Sequence, residues 1–131
     1  MTSVADTRLL LTLEFPLSQG VKVKTRDFFE KELRSRLLAP SIILTEFVEF
    51  AGAKIGEDAA KNRIRLLKDR GMQIMPIDEV HALVAGNLLL SHRNVPPADA
   101  LIASFVKTGA SEYVATDGQH FKLLGVKTKW I

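Results

Sequence analysis

Short apolar runs alternate with longer amphipathic stretches along the chain, and this alternation constrains the fold more than any other feature. The runs are mostly rich in residues that favour strands, as buried strands are. They are Val4-Ala5, Ser41-Ile42-Ile43-Leu44, residues 72–77, Tyr113-Val114-Ala115 and residues 125–130. Helical patterns cover residues 8–15, 27–38, 46–55, 57–70, 78–91 and 98–108, whereas residues 18–24 are predicted to form a loop. Strand alternating with helix predicts the α/β class, with a central parallel sheet and helices on both faces.

Length and composition limit the classes of protein that fit this pattern. With 131 residues the chain is expected to form a single domain, and with no cysteine it has neither a disulfide framework nor cysteine-ligated metal sites. A net charge of +3 is compatible with a nucleic-acid partner without requiring one. No stretch reaches the ~18 apolar residues of a membrane span. The first residues lack the features of a signal peptide, so no membrane association and a cytoplasmic location are expected.

Acidic residues follow three of the predicted strands, each beside a threonine. The pairs are Asp6-Thr7, Thr45-Glu46 and Thr116-Asp117. In open parallel sheets, ligands bind outside the carboxyl ends of the strands, so these carboxylates are candidates for one shared site. A fourth acid, Asp99, stands among small and apolar neighbours, where a carboxylate is costly to bury unless it is paired or metal-bound.

Each of these acids also has a purely structural explanation. Asp6 fits a helix cap, and Asp117 before a glycine fits a turn. Glu46 and Asp99 fit the first turn of a helix, where negative charge is favoured. Caps and turns account neither for the recurrence of an acid at three strand ends nor for the apolar surroundings of Asp99. Asp78 also follows a strand, but it opens a long helix and is interpreted as a cap alone.

Four segments in order resemble the motifs of the PIN domain, a family of metal-dependent ribonucleases that includes the VapC-like toxins of type II toxin–antitoxin pairs. The resemblance covers essentially the whole chain. A first strand ending in Asp-Thr is matched by residues 4–7, and a Thr-Glu pair opening a helix by residues 45–46. An Asp-Ala-Leu-Ile-Ala segment is matched by residues 99–103, and Thr-Asp followed shortly by Phe is matched by residues 116–121. Arg8 departs from the pattern, because many members carry Ser or Thr at that position.

The resemblance implies a three-layer α/β/α sandwich around a central parallel sheet, with residues 1–131 forming one PIN-like nuclease domain. It also implies an endoribonuclease that hydrolyses RNA phosphodiester bonds with Mg²⁺ or Mn²⁺, the ions that all-oxygen ligands favour. Four carboxylates brought together repel one another unless a cation neutralises them. The implied catalytic and metal-binding residues are Asp6, Glu46, Asp99 and Asp117, with Thr7 and Thr116 in support.

Two further side chains are candidates for substrate contacts. Arg8 lies close in sequence to Asp6, and His120 lies three residues after Asp117. A solvent-exposed residue at a helix start explains His120 equally well. Glu49, one helical turn beyond Glu46, is interpreted as part of a solvated helix face.

The implied partners are an RNA substrate, an antitoxin protein in the case of a toxin, and a second copy in a homodimer. Basic residues that could attract RNA form the cluster Lys22, Lys24 and Arg26 and the stripe Lys61, Arg65 and Lys68, of which the stripe is interpreted as a solvated face. A dimer surface could be supplied by the helix with Phe28, Phe29 and Leu33, although core packing explains those residues equally well.

Two alternative readings of the same residues are less favoured. A non-catalytic RNA- or protein-binding module on a PIN-like scaffold predicts the loss of one or more carboxylates, and all four are present. A receiver-like domain or a haloacid-dehalogenase-type phosphatase requires further acidic residues near the first strand, and the phosphatase requires one at the position of Arg8. Both of these other α/β classes are therefore disfavoured.

Overall fold

The computed structural model describes residues 1–131, which form one α/β domain around a five-stranded sheet. The strands are β1 (Ser3–Ala5), β2 (Leu37–Pro40), β3 (Gln73–Met75), β4 (Tyr113–Ala115) and β5 (Thr128–Lys129). The helices are α1 (Thr7–Glu14), α2 (Gln19–Ser35), α3 (Ser41–Ile55), α4 (Glu57–Asp69), α5 (Glu79–Ser91), α6 (Pro97–Lys107) and α7 (His120–Leu123). None of these helices combines the length and the hydropathy that crossing a membrane requires.

The sheet is parallel throughout, in the order β3-β2-β1-β4-β5. Val4 in the central strand β1 is in register with Leu38 of β2 and Val114 of β4. Every residue of β1, β2 and β4 is buried. Since neighbouring side chains of a strand point to opposite faces, helices must cover both faces of the sheet. The fold class predicted from the sequence is confirmed.

The direction of strand order reverses between β1 and β4. From β1 the chain adds β2 and β3 on one side of the sheet, and it later adds β4 and β5 on the other. A crevice forms outside the carboxyl ends of the strands at such a switch point, and this is where ligands bind in open α/β sheets. The residues that directly follow β1 and β4 therefore border the expected ligand crevice.

The predicted strand over Ser41-Ile42-Ile43-Leu44 is wrong, because these residues begin helix α3 and the strand is formed by Leu37–Pro40. The buried residues of α3 are Ile43, Phe47 and Ala51, which recur every four positions along one helix face. The apolar run is thus the core-facing side of a helix. Glu46 consequently lies in the second turn of α3 and not at the end of a strand.

The predicted loop over residues 18–24 is also wrong, because α2 begins at Gln19. The Ser18 hydroxyl oxygen accepts a hydrogen bond from the Val21 N–H at 3.1 Å and so caps the helix. At its other end α2 stops at Ser35, since Leu37 and Leu38 belong to β2. Asp78 caps α5, as interpreted from the sequence, by accepting a hydrogen bond from the His81 N–H at 3.0 Å.

Candidate active site at the carboxyl end of the sheet

Asp6 lies at the switch point, between the end of β1 and the start of α1. Its side chain is only 5% exposed. One carboxylate oxygen, Oδ1, accepts a hydrogen bond from the Thr7 N–H at 2.7 Å, and Oδ2 accepts one from the Thr116 hydroxyl at 2.7 Å. Thr116 directly follows β4, so the ends of both central strands fix the position of this carboxylate.

The charge of Asp6 is poorly compensated. Burial raises the pKa of Asp6 from 3.8 to about 6, although the hydrogen bond from Thr116 acts in the opposite direction. The negative charges of Asp99 and Glu46 raise this pKa further. Three carboxylates that are distant in sequence therefore act on one another at this point of the fold.

A cavity of about 570 Å³ opens beside Asp6. Its acidic side chains are Asp6, Glu46, Glu49 and Asp99. The rest of the lining consists of Thr7, Arg8, Leu11, Phe50 and residues 118–121. The cavity is therefore strongly acidic, and helices α1, α3 and α6 each contribute to its wall.

Thr7 connects two of these acids. Its backbone N–H binds Asp6, while its hydroxyl donates a hydrogen bond to Glu46 Oε1 at 2.5 Å. Thr7 is 6% exposed, so both contacts are largely shielded from water. Glu46 thus reaches the cavity from α3, although the sequence pattern placed it at the end of a strand.

Asp99 enters the cavity from the first turn of α6, whose start is set by Pro96 and Pro97. Its Oδ2 lies 2.8 Å from Nδ1 of His120, which donates a hydrogen bond when that nitrogen carries the proton. The His120 side chain is about half exposed. His120 is therefore in direct contact with a cavity carboxylate.

Asp117 has a different environment from the other three predicted acids. It forms a two-point ion pair with Arg8, through Nε to Oδ1 and through Nη2 to Oδ2 at 3.0 Å. The hydrogen bond to Asp117 raises the pKa of Arg8 above its ordinary value. Both side chains are partly exposed, and Asp117 does not line the acidic cavity. The structure brings Asp6, Glu46 and Asp99 together and leaves Asp117 outside their group.

The cavity contains six residues that are absent from the site predicted by the sequence, namely Leu11, Glu49, Phe50, Gly118, Gln119 and Phe121. Glu49 is interpreted there as part of a solvated face, although its position three residues after Glu46 puts both on one side of α3. Gly118 follows Asp117, and its N–H donates a hydrogen bond to the Thr116 hydroxyl at 2.9 Å. A Cβ atom at Gly118 would lie 3.1 Å from that hydroxyl oxygen, so any larger residue here would push the Thr116 hydroxyl away by a few tenths of an ångström. A chain of hydrogen bonds therefore runs from Gly118 through Thr116 to Asp6.

The donor set fits a hard divalent cation. The structure contains no ready-made cluster of three or more acidic or histidine side chains at metal-ligating positions. Mg²⁺ keeps several of its waters and needs only one or two protein carboxylates, so a closed cage is not required. Asp6 and Asp99, with Glu46 nearby, supply oxygen ligands of this kind, and a cation would offset the cost that raises the pKa of Asp6.

Several solved structures share this fold. VapBC2 from Rickettsia felis, bound to a DNA fragment from its promoter, gives a TM-score of 0.79 at 15% identity over 99% of this chain and 98% of that chain. VapC20 from Mycobacterium tuberculosis, described as a sarcin-ricin loop cleaving toxin, gives 0.78 at 12% identity over 96% of each chain. DNA-bound VapBC from Salmonella typhimurium gives 0.74 at 17% identity over 99% of this chain and 98% of that chain. No curated protein matches the sequence.

The family assignment comes from a sequence model of the PIN domain, which matches residues 18–127. The matched range includes Glu46, Asp99 and Asp117, whereas Asp6 precedes it. The parallel sheet and the similarity in fold over nearly the entire chain agree with this match. The chain belongs to the PIN domain family.

Proposed function

We propose that this protein is a metal-dependent endoribonuclease that hydrolyses RNA phosphodiester bonds in the acidic cavity. The observation that carries the proposal is the convergence of Asp6, Glu46 and Asp99 from three separate elements on one crevice. Their mutual repulsion and the burial of Asp6 oppose folding, and a carboxylate with a strongly raised pKa in a cleft, as Asp6 has, is typical of functional sites.

Asp6 and Asp99 would hold Mg²⁺ or Mn²⁺, with Glu46 as a further ligand or as a ligand through water. When bound, such an ion polarises a phosphate oxygen and lowers the pKa of a coordinated water. Thr116 and Thr7 keep the carboxylates of Asp6 and Glu46 in position through their hydrogen bonds. His120, beside Asp99, can hold a proton close to the cavity.

Arg8 and Asp117 also have roles in the proposed ribonuclease, one toward the phosphate and one toward the metal ion. The planar guanidinium of Arg8 offers two donors to a carboxylate, and the same two donors suit a phosphate group. An RNA phosphate that replaced Asp117 as the partner of Arg8 would free the Asp117 carboxylate. Asp117 would then be available as a fourth carboxylate ligand of the metal ion. Arg8 would then act as a substrate contact, and Asp117 would become a ligand only in the presence of substrate.

The proposed partners are an antitoxin protein and a second copy of the chain, and the proposed location is the cytoplasm. The support for an antitoxin is the similarity in fold to VapBC complexes. Of the residues named above as a possible dimer surface, only Phe28 and Leu33 remain partly exposed. Phe29 is fully buried, and the other two pack against the core.

A labelled single-stranded RNA, incubated with Mg²⁺ or Mn²⁺, tests the ribonuclease proposal. We expect Asp6→Asn, Glu46→Gln and Asp99→Asn each to lower the cleavage rate by about a hundredfold or more, because each removes interactions worth several kcal/mol with the transition-state charge. Asp27→Asn, which neutralises an exposed acid on α2, is the matched control and should cleave at the wild-type rate. A chelator should abolish cleavage by the wild type.

A non-catalytic binding module on the same scaffold is the second candidate. The Arg8–Asp117 ion pair favours it, because this pair removes one carboxylate from the cavity. Under this alternative no variant changes the cleavage of RNA, and calorimetry detects no Mn²⁺ binding. Mn²⁺ binding to the wild type and its loss in Asp99→Asn would exclude the binding module.

A further inference from the structure

The acidic cavity is poorly suited to attract RNA by itself. Four carboxylates line it, and its only arginine, Arg8, is bonded to Asp117. The affinity of proteins for nucleic acids comes largely from lysine and arginine contacts to phosphates. Under the proposed ribonuclease function, on which this inference rests, cations outside the acidic cavity must therefore hold the strand.

A second cavity, of about 560 Å³, lies at the amino end of β4 and along β5. Three lysines line it, namely Lys122, Lys127 and Lys129. None of them has a carboxylate within ion-pair distance, since the ion pairs of the structure involve other residues. The only acid in the lining is Glu112, which accepts a hydrogen bond from the Thr2 N–H at 3.0 Å. None of the three lysines is ion-paired, and three positive charges face a single carboxylate, so the cavity is basic overall.

The orientation of one lysine is fixed by a buried aromatic ring. Nζ of Lys129 lies 4.4 Å from the centroid of the Tyr113 ring, within the range of a cation–π contact. The Tyr113 hydroxyl donates a hydrogen bond to the buried carboxylate of Glu32. Since this hydrogen bond holds the ring, the ammonium group at its face is held as well.

Several other basic groups of the molecule are paired with acids or lie beside one. Lys61 pairs with Glu57, and Arg63 pairs with Glu14. Lys22 and Arg26, from the cluster predicted to attract RNA, line a smaller cavity of about 170 Å³ that also contains Glu14. The second cavity differs in that it gathers three lysines without ion pairs around one concave surface, which makes it a candidate for binding a polyanion.

A single nucleic-acid strand can reach both cavities. Helix α7 contributes His120 to the acidic cavity and Lys122 to the second. Tyr113, in the second cavity, is the first residue of β4, whereas the acidic cavity lies beyond the last residue of that strand. Three strand residues span about 10 Å, so a few nucleotides would bridge the two cavities.

We propose that the second cavity binds phosphate groups of single-stranded RNA through Lys122, Lys127 and Lys129. Occupation of this site anchors the strand on one side of the acidic cavity and raises the affinity for long substrates. A substrate too short to reach the second cavity gains nothing from these lysines.

The test compares the wild type with the triple variant K122Q/K127Q/K129Q. The matched control is K61Q/R65Q/K68Q, which removes the same number of positive charges from α4. Binding of a fluorescent RNA of about 16 nucleotides is measured by anisotropy in chelator, over a range of salt concentrations. Three lost phosphate contacts should reduce the slope of log K against log salt by about 2, which corresponds to about a hundredfold weaker binding at 0.1 M salt. Cleavage of a trinucleotide should be equal in all three proteins.

The proposal is overturned if the triple variant binds the long RNA as tightly as the control variant. It is also overturned if polyglutamate of equal charge binds the wild type as tightly as RNA, because the site would then suit an acidic protein segment. If the triple variant unfolds, the double variant K122Q/K127Q replaces it, because it leaves the Lys129–Tyr113 contact intact. The double variant should then bind the long RNA more weakly than the control variant does. Failure of the ribonuclease proposal is distinguishable, since the wild type would then cleave neither the trinucleotide nor the long RNA.

Discussion

Neutralising Asp6 should stabilise the metal-free protein at alkaline pH, although Asp6 is a proposed catalytic residue. The Asp6 carboxylate is 5% exposed and lies near two other acids, and its pKa is raised from 3.8 to about 6. An acid whose pKa is raised by folding favours the folded state only while it is protonated. Its contribution to stability is therefore fully present below about pH 3.8 and is lost as the pH rises through 6.

The magnitude of the effect is set by the size of this shift. About two pKa units correspond to about 3 kcal/mol of stability lost between acidic and alkaline pH. Asparagine is itself a good helix cap and can still accept the hydrogen bond from Thr7. The pKa of about 6 already includes the hydrogen bond that the charged carboxylate accepts from Thr116, so the loss of this bond is not subtracted a second time. We therefore expect Asp6→Asn to gain up to about 3 kcal/mol at pH 8, or up to about 10 °C in Tm.

Thermal unfolding in chelator at pH 8 and pH 5 measures this gain. At pH 5 most of the wild-type Asp6 is protonated, so the advantage of Asp6→Asn should disappear or reverse. The comparison between the two pH values isolates the charge, because the wild-type carboxyl group is ionised at pH 8 and mostly protonated at pH 5. Asp27→Asn, on the exposed face of α2, should show no such dependence. Added Mn²⁺ should raise the Tm of the wild type at pH 8 and leave Asp6→Asn nearly unchanged.

Equal changes in Tm for Asp6→Asn at pH 5 and pH 8 would refute this reasoning. The Asp6 carboxylate would then be adequately solvated or paired in the folded protein. If Asp6→Asn is stabilised at pH 8 and its Tm does not respond to Mn²⁺, the result would support a metal-binding site at Asp6. The single substitution would then have removed both the free-energy cost of the buried charge and a ligand of the metal ion.

The contacts of individual side chains give four further predictions. Tyr113→Phe should destabilise the protein by about 2–3 kcal/mol in urea, because it leaves the buried Glu32 without its hydrogen-bond donor, whereas Glu32→Gln keeps an acceptor and should cost less. The same contact and the burial of the ring raise the pKa of Tyr113, so this sole tyrosine should resist ionisation in an absorbance titration that ionises free tyrosine. Thr116→Val should lower RNA cleavage and Mn²⁺ affinity about 10- to 100-fold, since it removes the hydroxyl that orients Asp6, and it should also lower Tm at pH 8, because the buried carboxylate loses a hydrogen-bond donor. Gly118→Ala should lower cleavage with Tm nearly unchanged, because its Cβ would crowd the Thr116 hydroxyl; wild-type rates in this variant would contradict that account.

The sequence predicted the centre of the sheet well and its second strand poorly. Strands β1 and β4 have short apolar segments with clear boundaries, and they are observed where predicted. The run Ser41–Leu44 is equally apolar but belongs to a helix, and a run of four residues cannot distinguish the two by periodicity. The strand was missed because Leu37-Leu38 continues the amphipathic pattern of α2 without a visible break. Glu46 reaches the cavity nonetheless, because β2 ends and α3 begins at the same side of the sheet.

The contacts of the site could be predicted only where they are local. The cap formed by Asp6 and the side of α3 that carries Glu49 follow from spacing. The ion pair between Arg8 and Asp117 joins residues 109 positions apart, and the sequence contains no signal for it. Exposed charges have many partners of similar free energy, so their pairing depends on the finished fold.

The distribution of unpaired charge over the fold gives information on function that the net charge of the chain does not. A surplus of +3 would suggest a weakly basic and featureless surface. In the fold, negative charge is concentrated beyond the carboxyl end of β4, and a group of lysines without ion pairs lies along β5 and on α7. Each cluster destabilises the folded state by self-repulsion, and packing alone gives no reason for either. A divalent cation at the first and a phosphate chain at the second would relieve both, and the proposed RNA substrate with its metal ion would supply the two together.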